Sequence, residues 1–133
     1  MKLTTTKIAC ILLVFAMLSI YLNYFSTLVM PWQKEEVIKT TLLWGGLDKL
    51  PKNAEFTNME KRGSMFTRQF IIEFTSKRED IEKWKSLSKR LKNKIPKIKA
   101  NTEIFEIYPG EDGAMGGKVE ITGNNVKINI SWS

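Results

Sequence analysis

The stretch FTRQFIIEFTSKREDIEKWKSLSKRLKNKIP, residues 66–96, changes its hydrophobic period midway, and that change decides the fold. Up to Phe74 the period is two. Phe66, Arg68, Phe70, Ile72 and Phe74 fall on one side, with Met65, Thr67, Gln69, Ile71 and Glu73 on the other. Three of the first set are aromatic, so that side predicts the core face of a strand. Beyond Ser76 the period lengthens, and Ile81, Trp84, Leu87, Leu91 and Ile95 fall within an arc of roughly 120° on a helix. A strand running into an amphipathic helix predicts an α+β domain.

The limits of that helix can be read from its chemistry. Ser76 with Glu79 three residues on has the form of a capping box, which predicts a start at Lys77, and Pro96 predicts the end. Acids gather in the first turns and bases toward the end, as the helix dipole favours. Residues 76–99 hold ten lysines and arginines against three acids, a surplus equal to the whole chain's net charge of +7. Lys83, Lys85, Arg90, Lys92 and Lys94 flank the apolar arc, while Arg78 and Lys89 lie behind it. With Lys97 and Lys99 beyond Pro96, the residues Arg78, Lys85, Lys89, Arg90, Lys92, Lys94, Lys97 and Lys99 form a candidate contact surface for an anionic partner. The plainer reading is a core helix whose outer face is solvated, and a solvated face still carries a field.

Upstream, EFTNMEKRG supplies the first arm of a hairpin, with Arg62-Gly63 predicted as its turn. Downstream, TEIFEIYPG reads as a strand reaching a Pro-Gly turn and EDGAMGG as a glycine-rich connection. KVEITGNNVKINISWS is a second hairpin: Val126, Ile128, Ile130 and Trp132 alternate with Lys127, Asn129, Ser131 and Ser133 around the turn residues Gly123, Asn124 and Asn125.

At the other end of the chain, Lys2 and Lys7 precede a run from Ile8 to Gln33 with no charge. Its 26 residues span roughly 39 Å as a helix, against a bilayer core of about 30 Å. Tyr21, Tyr24 and Trp32 lie toward its far end, where amphipathic rings favour the interface. The run is long for a cleaved signal, and the mostly bulky Leu22, Asn23, Tyr24 and Phe25 stand where small residues would mark a processing site. Cys10 sits near its start, where a lipoprotein cysteine would not be. An uncleaved single-pass anchor is expected, with the two lysines favouring a cytoplasmic N-terminus and an extracytoplasmic domain. Residues 34–44, KEEVIKTTLLW, continue at helical spacing and predict a juxtamembrane helix stopped by Gly45-Gly46.

The 133 residues are 43% hydrophobic and 26% charged, which fits one small packed domain. With no histidine and one cysteine, Cys/His zinc sites, Ser-His-Asp and Cys-His catalysis and an internal disulfide are excluded. GEDGAMGGK resembles a phosphate loop only loosely: Asp112 and Val119 occupy the places of a required glycine and hydroxyl. Glu111 and Asp112 fall short of a calcium loop. Ser86 and Lys89 match S-x-x-K without its companion motifs. Neither Glu103 with Glu106 nor Glu73 with Glu120 is set in a recognisable cleft. Asn129-Ile130-Ser131 is a glycosylation sequon inside a predicted strand.

Trp44-Gly45-Gly46-Leu47, Pro51, SMFTRQF, DIEKWKSLS, YPG and the terminal ISWS together resemble small membrane-anchored bacterial proteins. The resemblance implies an envelope location and no activity. The expected fold is α+β: an N-terminal transmembrane helix, then a small antiparallel sheet of about five strands packed against one amphipathic helix. Residues 1–33 are expected to form the tail and anchor, 34–52 a juxtamembrane helix and loop, and 53–133 the α+β domain. The expected role is a non-enzymatic, single-pass protein of the cell envelope displaying an interaction domain. The alternatives are an accessory, inhibitor or immunity-type protein and, third, a small enzyme. No cofactor or metal is expected. Anionic lipid or an acidic envelope protein is the expected partner, ahead of nucleic acid.

Overall fold

Side chains alternating between two environments dictate a sheet with one apolar and one polar face, and the computed structural model shows such a sheet. It describes residues 4–63, 66–109 and 116–132. An apolar helix α1 (Thr5–Ile20) continues as a π-helical turn, Tyr21–Phe25. Extended residues and a 3₁₀ turn at Pro31–Gln33 lead into α2 (Lys34–Gly45). There follow β1 (Glu55–Gly63), β2 (Arg68–Thr75), α3 (Arg78–Leu87), β3 (Lys97–Lys99), β4 (Thr102–Ile107), β5 (Gly117–Thr122) and β6 (Asn125–Trp132).

All pairings are antiparallel, in the order β1-β2-β6-β5-β4-β3. The sheet therefore has six strands, one more than expected. The extra strand is β3, whose three exposed residues Lys97, Ile98 and Lys99 have no core face to betray them. The C-terminal strand β6 lies in the middle, between β2 and β5. Register carries the apolar rows across it: Phe70 faces Ile130, Ile72 faces Ile128, and Phe74 faces Val126. Val119 and Ile121 of β5 and Phe105 of β4 extend the same rows. Ile72, Phe74, Val119, Ile121, Val126, Ile128 and Ile130 are fully buried, each large side chain contributing about 1.5–3 kcal/mol. On the outer face Glu73 pairs with Lys127 at 3.3 Å and Glu120 with Lys118 at 3.0 Å.

Two helices, not one, cover the apolar face. α2 brings Val37 and Thr41, and α3 brings Ile81 and Trp84, whose ring meets Phe74 edge-on at 5.8 Å. α2 ends as its glycines predict: Gly46 takes the left-handed conformation, φ +60°, that favours glycine. Gly123, φ +58°, opens the two-residue turn between β5 and β6.

α3 is shorter than its periodicity predicts. Its N-cap is Lys77, with no side-chain cap bond, because the Ser76 N–H donates to Asn124 O and holds that residue at the sheet end. The helix stops at Leu87 because hydrogen bonds to the α2 exit compete for the next residues. Ser88 Oγ accepts the Asp48 N–H at 3.0 Å, and the Arg90 N–H donates to Gly46 O at 3.2 Å. The turn still delivers Leu91 to the core, but Leu87 is exposed and Ile95 is 95% exposed.

The predicted turn at Arg62-Gly63 is also displaced. Both residues belong to β1, and Gly63 faces Arg68. Ser64 and Met65, which follow, lie outside the described residues, as do Lys2, Gly110, Glu111, Asp112 and Ser133.

Candidate functional site

The basic stretch is built largely from ion pairs within the fold. Arg78 leaves the first turn of α3 and meets Glu82 at 2.7 Å and Glu103 of β4 at 2.9 Å, and it also donates to Gly123 O at 3.0 Å. Lys85, two turns further along the same face, reaches Glu82 at 3.0 Å and Glu103 at 3.3 Å. Burial pushes the Glu103 carboxyl up, but Arg78 and Lys85 outweigh it and hold the group below its ordinary value. The Arg78 guanidinium is held above its own value, first by its hydrogen bond to Glu103. Lys97 pairs with Glu106 at 2.9 Å, and Lys94 donates to the backbone oxygen of Glu106 beside the Tyr108 ring.

Arg90, expected on the exposed face, is instead 5% exposed, packed under Gly46. Lys89, Lys92 and Lys99 are exposed. The eight residues thus divide into cations tied to β4 (Arg78, Lys85, Lys94, Lys97), one buried guanidinium, and three exposed lysines. Ser86 Oγ donates to Lys83 O within its own helix at 2.7 Å. Among the described residues no three His, Cys, Asp or Glu side chains gather as metal ligands.

A second arrangement joins the apolar helix to the sheet. Lys61 lies on the helix-bearing face of β1, opposite Phe70, and is 5% exposed. Its ammonium donates to Leu22 O at 3.1 Å, Asn23 O at 2.7 Å and Gln33 Oε1 at 2.7 Å. Two of these acceptors are carbonyls at the C-terminal end of the apolar helix, where the dipole favours a cation. Asn23 Oδ1 accepts from Trp32 Nε1 at 3.0 Å and Gln33 Nε2 at 3.2 Å. Thr27 O accepts the Lys61 N–H, and Leu28 bridges Glu60, so the linker lies along the outer edge of β1.

Lys61 escapes a reading by pattern because its partners lie 28 to 39 positions away. Asn23 and Gln33, polar residues within an uncharged run, were the available signal.

Between the end of the apolar helix, α2 and the sheet lies a cavity of about 690 Å³ with Asn23, Thr40, Trp44, Lys61 and Arg68 on its walls. On the other side of α2 an open groove of about 840 Å³ runs over Ile38, Leu42, Leu43 and Leu47, edged by Lys34, Lys39 and Lys49 with one carboxylate, Glu35, among them. The 21-residue apolar segment Thr5–Phe25 is long and apolar enough to cross a membrane, and its spanning window has no buried residue. Comparison with protein-family models, curated proteins and solved structures finds no match to this chain.

Proposed function

We propose that this chain is a single-pass, membrane-anchored, non-enzymatic protein of the bacterial cell envelope that displays its α+β domain as a binding module. The observation that carries this reading is the apolar helix. Twenty-one residues rise roughly 31 Å, matching a hydrocarbon core of about 30 Å. No α1 residue is buried against the domain, unlike α2 and α3. Exposed Tyr21, Tyr24 and Trp32 gather at its far end, where an interfacial belt would lie. Lys7 before the span favours a cytoplasmic N-terminus, which puts the domain outside. A binding role is favoured over chemistry because Glu73, Glu103, Glu106 and Glu120 are each paired with a cation and Ser86 is bonded to its own helix.

The test is membrane extraction of the full chain together with a reporter fused after the C-terminus. The protein should stay with membranes through alkaline washing, and the reporter should be active only outside the cytoplasm. Release by the wash overturns the anchor, and a cytoplasmic signal overturns the orientation.

The groove on α2 favours a second reading, an accessory or inhibitor-type protein acting on a membrane-proximal partner. An apolar floor between lysines suits a partial helix with acidic flanks. In that case Leu43→Asp abolishes a stoichiometric crosslinked complex that the wild-type chain forms.

A further inference from the structure

The cavity at the end of the apolar helix has features that the anchoring role does not use. We propose that it holds the headgroup of an anionic phospholipid, with the Arg68 guanidinium on the phosphate and Lys61 as a fixed positive charge behind it. This rests on the reading of α1 as a membrane span.

Depth is the first argument. Ser19, Ile20, Asn23 and Tyr24 form one wall, and Lys61 and Arg68 face them from the sheet. The span Thr5–Phe25 ends at Phe25, so the cavity lies at the domain-side end of the span, against the boundary between hydrocarbon core and headgroups and within reach of a lipid phosphate.

Charge is the second. Arg68 and Lys61 stand on adjacent strands of one sheet, both on the helix-bearing face. Burial, and then the charge of Arg68, holds the Lys61 ammonium below its ordinary value, so the field at Lys61 is that of a second cation. Glu36, the carboxylate on the wall, is exposed. An anion between the two cations relieves their repulsion.

The division of labour follows from the hydrogen bonds. All three Lys61 N–H groups are directed at Leu22 O, Asn23 O and Gln33 Oε1, so this residue contributes charge. Arg68 contributes a planar fork of donors suited to a phosphate, and Thr40 lines the same cavity. Ile20, Trp44 and Phe70 supply an apolar floor, and the exposed α1 surface below gives the acyl chains a path into the bilayer. That path favours a lipid over a free phosphate.

The experiment titrates the full chain in neutral detergent micelles with short-chain phosphatidylglycerol, phosphatidylcholine or inorganic phosphate, following thermal unfolding. Phosphatidylglycerol should raise the midpoint saturably and the other two should not. Arg68→Gln should weaken the apparent affinity about fivefold, the equivalent of about 1 kcal/mol per basic residue at an anionic surface. Arg68→Lys, which keeps the charge but loses the fork, should fall between wild type and Arg68→Gln. Lys118→Gln, on the outer face of the sheet, should bind as wild type. An equal response to phosphatidylcholine overturns the proposal. So does an equal response to inorganic phosphate, or an Arg68→Gln variant that binds as wild type. Flotation with neutral vesicles separates the two readings: a chain that floats but does not prefer phosphatidylglycerol loses only the headgroup site. A chain that does not float loses both.

Discussion

Replacing Lys61 with methionine keeps the length and apolar stem of the side chain and removes only the ammonium. Three acceptors lose a charged donor: Leu22 O at 3.1 Å, Asn23 O at 2.7 Å and Gln33 Oε1 at 2.7 Å. Two of them keep a partner, since Gln33 Nε2 still donates to Asn23 O and the Met30 N–H to Gln33 Oε1. Leu22 O bears the largest loss. One hydrogen bond to a charged group is worth about 1.5–3 kcal/mol, and relief of the cost of burying the lysine offsets part of the other two. A net loss of about 2 kcal/mol is expected, equal to roughly a 30-fold rise in local opening. The hydrogen bonds lost all join β1 to the apolar helix and the linker, so the loss is confined to the junction. Hydrogen exchange of the full chain in micelles should show residues 26–33 exchanging roughly 30-fold faster, with the amides of β6 unchanged. Exchange at 26–33 within about twofold of wild type would refute the reasoning, and so would equal acceleration in β6.

Other substitutions test the packing elsewhere. Leu91→Ala should cost about 2–4 kcal/mol and Ile95→Ala less than about 0.5 kcal/mol by urea denaturation. Similar losses at both sites would mean the helix runs on to Pro96. Glu103→Gln should cost about 1 kcal/mol near neutral pH, after allowing for solvent at a partly exposed site. The Glu103 pKa is depressed in the folded chain, so its contribution is full above the unfolded carboxylate value and fades as pH falls through the folded one. Wild type and Glu103→Gln should therefore converge in denaturation curves taken in strong acid, and a gap that persists there would contradict the assignment. Gly46→Ala places a methyl 2.3 Å from Arg90 Cγ on a backbone at φ +60°. A loss of about 2 kcal/mol or more is expected by thermal unfolding.

Much of the sheet was legible because its apolar rows follow a strict period of two. β2 and β6 announce themselves through Phe70, Ile72 and Phe74 and through Val126, Ile128 and Ile130. β1 is harder to read, since a bulge between Phe56 and Asn58 breaks its alternation and a lysine occupies a core-facing position. β3 was invisible because an edge strand of three exposed residues carries no pattern. For α3, periodicity gave the right face at Ile81 and Trp84 but the wrong end. What stops the helix is a set of bonds to Gly46 and Asp48, some forty positions earlier in the chain. The charge surplus was equally legible, but how much of it is neutralised depends on Glu103 and Glu106, which the sheet brings alongside from another element. The junction around Lys61 was missed for the same reason: its partners are distant in sequence and mostly backbone oxygens, which no residue pattern records.

The linker that lies against β1 has a practical consequence for anyone cutting this chain. At the opposite margin of the sheet, β3 is short and carries Lys97 and Lys99, which discourages pairing with a foreign strand. β1 spans nine residues, Glu55–Gly63, and its shielding comes from Thr27 and Leu28. A truncated protein beginning at Lys34 would leave that margin bare as a template for self-association. A fragment beginning at Leu22 leaves out most of the apolar helix but keeps the Lys61 acceptors and its own cover, and should remain monodisperse where the shorter one precipitates.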